Sequence, residues 1–373
     1  MSPSILRRAV AALALAAGVA GCRPSREPVR IGLVFPGDFS PVTSLVSDAV
    51  NAAGGVRGRM LAVVRDTLPG ADWVLAETDI RRARSVVYLG VTAVVGHAGS
   101  RASLAAAQVY SESRVVQVVP TGTSRLLAGA GGWTFPLPPN DSVEGHFIAS
   151  FVRERLRART VVVFYVNDEY GIGLRDGVRA AFAGTGVRVL REVRYDLRAD
   201  LAALVDAAVR GRVPDAVVVA GRGGETGAIA RRLNEQGVPC RVVAGDGSYV
   251  LPELVTTAGP GAEGIYVVAF WLPGAADSAT RRLEARVRER LGREPVATDA
   301  LIFDAVRLLA AAVEAVGDRP QRIRRYLLEL GVSRPRFRGV TGEIGFGPGA
   351  GPPRLVMGVV RGGAVVPADA VTR

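Results

Sequence analysis

The chain has 373 residues, 49% of them hydrophobic, and carries 47 basic against 35 acidic side chains for a net charge of +12. All 47 basic residues are arginine, so a phosphate loop of the usual glycine-lysine form is excluded. The arginines are spread over helical faces (Arg81, Arg82, Arg84; Arg153, Arg155, Arg157) without interleaved aromatics, which argues against a nucleic-acid surface, and the length exceeds what one core serves, so two domains are expected.

At the N-terminus, Arg7 and Arg8 precede an apolar run at residues 9–19. A permanent membrane span needs about 20 apolar residues, so this run is too short for one. It ends in Val19-Ala20-Gly21-Cys22, which resembles the bacterial lipobox. The resemblance implies that residues 1–21 are a lipoprotein signal peptide and that Cys22 is lipidated, holding the protein to the membrane through its lipid. An ordinary cleaved signal with an incidental cysteine is the alternative. Cys240 then has no partner and no disulfide is expected. Residues 22–28 read as a polar tether, and no later stretch is long and apolar enough to span a bilayer.

From residue 29 the pattern is α/β. Apolar runs of strand length fall at residues 29–35, 60–64, 93–95, 115–119, 161–165, 187–193, 216–220, 241–244 and 264–269. Segments with helical periodicity alternate with them at residues 44–53, 74–88, 100–112, 143–157, 173–182, 200–210 and 226–236. A further helix is expected at residues 300–316, and closing strands at 340–346 and 354–361. Strands alternating with helices imply parallel sheets covered on both faces. The strand ends carry small residues and turn formers, as in Gly96-His97-Ala98-Gly99-Ser100 and Gly245-Asp246-Gly247-Ser248. In open parallel sheets ligands sit at such carboxyl ends, beside helix N-termini.

Several motifs recur in a fixed order. They are Asn51-Ala52-Ala53-Gly54-Gly55-Val56-Arg57-Gly58-Arg59, Val95-Gly96-His97-Ala98-Gly99-Ser100, Pro120-Thr121-Gly122-Thr123, Asp168-Glu169-Tyr170-Gly171 and Phe337-Arg338-Gly339-Val340-Thr341-Gly342. Together they resemble the branched-chain amino-acid-type (Leu/Ile/Val-binding-like) periplasmic solute-binding proteins of ABC transporters. That resemblance covers essentially the whole mature chain. It implies two Rossmann-like lobes with parallel sheets joined by a three-stranded hinge, the periplasmic-binding-protein type I fold. The expected division is residues 29–139 plus 271–346 for the N-terminal lobe and 140–270 plus 347–373 for the C-terminal lobe. Hinge crossings are expected near residues 138–140, 270–273 and 346–351.

The resemblance also carries site roles. Ser100, Gly122 (through its backbone) and Thr123 would hold a ligand carboxylate, though a hydroxyl at a helix start also reads as an N-cap. Tyr170 would reach in from the second lobe, or else pack under its own glycine turn. Asp246 would pair with a ligand ammonium, and it is equally a Gly-Asp-Gly turn residue. Arg222 stands where an aromatic ring is often found, which favours a ligand with an extra anionic group or leaves the arginine in solvent. The first loop is short, and Phe39 or Trp73 is the candidate apolar wall.

The expected function is therefore capture of a small polar ligand, an amino acid or related compound, by hinge closure and its delivery to an ABC permease. The rival is a ligand sensor or envelope accessory lipoprotein on the same fold. His97 and His146 belong to no spaced metal motif, no GxSxG elbow is present and Cys240 follows Pro239 beside an apolar strand. No catalytic residues, cofactor or metal is expected.

Overall fold

The computed structural model describes residues 27–66, 68, 75–274, 278–347 and 355–370. The signal segment, Cys22 and Trp73 lie outside these residues, as does part of the third expected hinge crossing.

Two sheets organise the chain. The first contains β1 (Val29–Val34), β2 (Leu61–Arg65), β3 (Ala93–Gly96), β4 (Val116–Val119) and β5 (Thr134–Pro136), in the spatial order β2-β1-β3-β4-β5. All of its pairings are parallel, with Ile31 opposite Ala93 and Leu33 opposite Val95. Interleaved are α1 (Ser40–Ala52), α2 (Ala76–Tyr88) and α3 (Gly99–Glu112).

The second sheet holds β6 (Thr160–Val166), β7 (Arg188–Tyr195), β8 (Ala216–Ala220), β9 (Arg241–Ala244), β10 (Tyr266–Ala269), β13 (Val356–Arg361) and β14 (Ala364–Pro367). Its order is β14-β13-β10-β9-β8-β6-β7. The five strands β10, β9, β8, β6 and β7 pair in parallel, whereas β13 runs antiparallel to β10 and β14 antiparallel to β13. Every residue of β6 and β8 is buried, as expected of parallel strands covered on both faces. At the edge, β7 exposes Arg188, Arg191, Glu192 and Arg194, charges that discourage pairing with another chain. The helices of this half are α4 (Asp141–Ser150), α5 (Glu169–Phe182), α6 (Leu201–Val209), α7 (Gly223–Glu235) and α8 (Leu251–Ala258).

The chain then continues through α9 (Ser278–Leu291), α10 (Ala297–Val316) and α11 (Pro320–Glu329) to the short antiparallel pair β11 (Phe337–Arg338) and β12 (Glu343–Ile344). Residues of α10, α11 and β12 bury Leu301, Ile302, Leu308, Ile323 and Ile344 in one core with Ile31, Leu33, Val95 and Val118. A second core gathers Val161–Val166 with Leu174, Ile229, Leu254, Val268 and Val359. Each half thus has its own hydrophobic core.

Three departures from the sequence expectation have local causes. Residues 340–346 do not form one strand, because Asp304 accepts hydrogen bonds from the backbone N–H of Val340 (2.9 Å) and Thr341 (2.8 Å). Those donors are thereby taken from any ladder. The helix expected over residues 143–157 is α4 followed by a π-turn at Phe151–Arg155, with Leu156 N–H bonding to the carbonyl of Phe151. The second sheet ends in an antiparallel hairpin where parallel sheets were expected.

Candidate functional site

A cleft of about 940 Å³ opens at the carboxyl ends of both sheets, in the size range of small-molecule sites. Its walls come from the loops after β1, β3 and β4 and from α10 on one side, and from the loops after β6, β7, β8, β9 and β10 on the other.

Ser100 sits in the first turn of α3, which begins without a side-chain cap, so its leading N–H groups have no intrahelical acceptor. The Ser100 hydroxyl oxygen accepts from the backbone N–H of Thr123 (3.2 Å) and Ser124 (3.0 Å). Its own proton therefore remains to be donated. Thr121, which the sequence reading did not single out, also faces the cleft, and its hydroxyl accepts from Gly99 N–H at 3.1 Å. Donors and a helix N-terminus converge here on a spot suited to a carboxylate.

The opposite wall is acidic. Asp246 opens a 3-10 turn after β9, and its backbone N–H donates to Oε1 of Glu144 at 2.8 Å. Its Oδ1 is buried with no hydrogen-bond partner. Tyr170, near the start of α5, accepts from Gly247 N–H at 3.0 Å through its hydroxyl oxygen, and the same hydroxyl lies within hydrogen-bonding reach of the Asp246 carboxyl. Burial pushes the Asp246 carboxyl up to about 6, against the lowering effect of the Glu144 and Tyr170 side chains beside it. Burial, and then the Asp246 charge, likewise push the Tyr170 phenol well above its usual range.

Local sequence explains how these groups meet. Asp168 caps α5 by accepting from Tyr170 N–H (3.1 Å) and Gly171 N–H (3.0 Å). A Cβ at Gly245 would stand 2.4 Å from Leu174 Cδ2 and 2.6 Å from the Tyr170 hydroxyl, so only glycine lets this turn settle on α5. A Cβ at Gly145 would stand 2.4 Å from the Gly177 carbonyl carbon. That close approach of α4 to α5 carries Glu144 and Asp141 in behind the cleft floor.

Ser100, Tyr170, Arg222 and Asp246 line the one cleft. Gly122 and Thr123 do not; they line a smaller cavity of about 350 Å³ with Leu328 and Phe346, and Thr123 reaches the cleft through its N–H bond to Ser100. Helix capping in that loop is done by Ser124, whose hydroxyl accepts from Leu126 N–H at 3.3 Å. Arg222 is ion-paired with Asp168 and lies 3.7 Å from Glu225, so its charge is already matched. Phe35 lines the cleft, and Phe39 packs edge-on against it with ring centroids 5.3 Å apart; the apolar wall is Phe35 rather than Phe39.

His97 is fully buried, with Nε2 2.9 Å from the Tyr110 hydroxyl and Nδ1 3.3 Å from Asp79. Burial holds its pKa below the usual histidine value despite the nearby Asp79 charge, which marks it as a core group. Glu144, Asp141 and Thr121 were missed by the sequence reading. Asp141 and Glu144 share one face at i, i+3, a spacing that also marks any helix start rich in acid. Among the described residues no group of His, Cys, Asp and Glu is arranged to hold a metal, and no helix is long and apolar enough to cross a membrane.

A family model described as periplasmic binding protein matches residues 42–362. Leu/Ile/Val-binding protein homolog 1 of Brucella abortus is 28% identical over 300 residues, covering 80% of this chain and 78% of that protein. The structure of a substrate-binding protein of an ABC transporter from Desulfitobacterium hafniense, in complex with Leu, superposes with a TM-score of 0.77 at 25% identity, over 92% of this chain and 100% of that one. The branched-chain amino acid transporter substrate binding protein LivJ of Streptococcus pneumoniae, in complex with isoleucine, shares the fold with a TM-score of 0.79 at 24% identity, over 91% of this chain and 97% of that one.

Proposed function

The chain belongs to the periplasmic binding protein family, and from that premise we propose that it captures a small zwitterionic ligand, an α-amino acid, in the cleft between its sheets. One observation carries this reading: a donor-rich helix start at Ser100 faces an Asp246 carboxyl whose Oδ1 is buried and unpartnered. A zwitterion supplies what each wall lacks, a carboxylate for the first and an ammonium for the second. The ligands for which the relatives are named or with which they were solved, Leu, Ile and Val among them, support the class.

On this reading the two halves are lobes that close as a hinged pair, with residues 138–140 and 270–273 among the crossings. The ligand shifts the open–closed balance because only the closed form touches it from both sides. The closed protein then hands its cargo to an ABC permease, working outside the cytoplasm and tethered by lipid on Cys22. Mass spectrometry of membrane-extracted protein tests the anchor: a chain beginning at a diacylated Cys22 supports it, and Cys22→Ser should release the protein.

A thermal-shift screen against amino acids, dicarboxylates, amides and urea tests the ligand class. A ligand at 100 times its Kd stabilises by about 2.7 kcal/mol. A response to α-amino acids alone supports the reading, and a response only to dicarboxylates or amides overturns it.

A further inference from the structure

Three carboxyl groups meet behind the cleft floor. Asp141 and Glu144 stand in the first turn of α4, and Asp246 on the turn after β9. Asp141 is 1% exposed and Glu144 not at all. The charges acting on Glu144 are those of Asp246 and Asp141, both negative. Other groups face the cluster from each packed element. Tyr170 comes from α5, Asp168 caps that helix with Arg222 held on it, and Thr123 and Arg125 approach Asp141. Arg125 is the one cation among the groups acting most strongly on Asp141.

The oxygens show where a proton belongs. Asp246 N–H occupies Oε1 of Glu144. Oε2 of Glu144 and Oδ1 of Asp246 are both buried without a hydrogen-bond partner, yet the two side chains are within hydrogen-bonding reach of each other. Two carboxylates are acceptors only and cannot satisfy one another, whereas a carboxyl and a carboxylate can. An Oε2–H of Glu144 donated to Oδ1 of Asp246 fills both positions and removes one buried charge.

We propose that Glu144 and Asp246 share one proton in the unliganded cleft, and that a ligand ammonium seated on Asp246 expels it, so that capture is coupled to proton release. The proposal rests on the reading of Asp246 as the ammonium's partner. The proton leaves Oε2 of Glu144 for water as the ammonium arrives; no bond to the ligand nitrogen is made or broken, and the cation replaces the proton as counter-charge. Burial raises both carboxyls, as a shared proton requires. Glutamine at position 144 would keep both hydrogen bonds, accepting from Asp246 N–H and donating to Oδ1, without a proton to lose.

Two measurements on the protein test this. Infrared spectra of the unliganded wild type at pH 7, minus those of Glu144→Gln, should show the carbonyl stretch of a protonated carboxyl. Calorimetric titration with L-leucine in phosphate and in Tris at pH 7 should give binding heats that differ with buffer, reporting release of roughly one proton or less per ligand. The wild-type Kd should weaken roughly tenfold from pH 7.5 to 5.5, and that of Glu144→Gln less than about threefold. Absence of the carboxyl band overturns the shared proton. A band with buffer-independent heat in the wild type overturns the coupling. A band with no heat from L-leucine overturns the leucine reading of Asp246, and the coupling with it, while the shared proton stands.

Discussion

The backbone N–H of Asp246 donates to Oε1 of Glu144 across 102 residues of chain, at 2.8 Å. This one bond fixes the cleft-facing turn to the first turn of α4, and it makes a buried carboxyl part of the floor. Asp246 is thereby presented to the cleft with its backbone N–H satisfied, leaving its carboxyl to exchange the shared proton for a ligand cation. A ligand cation completes the site without rearranging the turn.

Asp141 should make stability fall with rising pH. Burial lifts its carboxyl from 3.8 to about 7, the neighbouring Asp246 and Asp168 adding to the rise. A raised folded-state pKa means that the protonated form favours folding. The contribution is fully present below 3.8, and it is lost progressively until the pH has passed about 7. Asp141→Asn removes the penalty, so it should stabilise the protein at pH 8 by up to roughly 4 kcal/mol and by much less at pH 4. Denaturant melts at the two pH values check this; an equal effect at both would contradict it.

Ser100 should matter to both fold and binding. Its hydroxyl accepts from two backbone donors at the 123–124 loop. Ser100→Ala leaves these buried, at a stability loss of about 2 kcal/mol, and should weaken amino-acid binding roughly tenfold to a hundredfold. Chemical denaturation and calorimetry on the same sample separate the two effects.

Arg222 should not. Its guanidinium is committed to Asp168, and its side chain is 42% exposed, so solvent screening leaves the pair worth under about 1 kcal/mol. Arg222→Ala should alter affinity for a neutral amino acid by less than about threefold. A tenfold loss in calorimetry would mean that the arginine reaches the ligand.

Much of this was legible in the chain. β8 and β9 coincide with the apolar runs at residues 216–220 and 241–244, because buried parallel strands leave an uninterrupted hydrophobic signature. β5 escaped, being three residues long and ending in proline. So did α11, whose dense arginines hide the few apolar positions it buries. At the site, Ser100, Tyr170 and Asp246 could be singled out because they lie in turns at strand ends. Glu144 could not, since its role exists only once the turn after β9 lands on α4. The same holds for Arg222, whose partner Asp168 lies 54 residues away; pairing of this kind has no local trace.

The central claim is that the cleft holds an α-amino acid between Ser100 on one wall and Tyr170 with Asp246 on the other. Calorimetric titration of the Tyr170→Ala/Asp246→Ala double variant beside the wild type, using L-leucine and any other amino acid that raises the melting temperature, tests it most directly. The account predicts saturable heat in the wild type, and none in the double variant up to about 100 times the wild-type Kd, a loss of roughly 3 kcal/mol or more. Unchanged affinity in a folded double variant would contradict it.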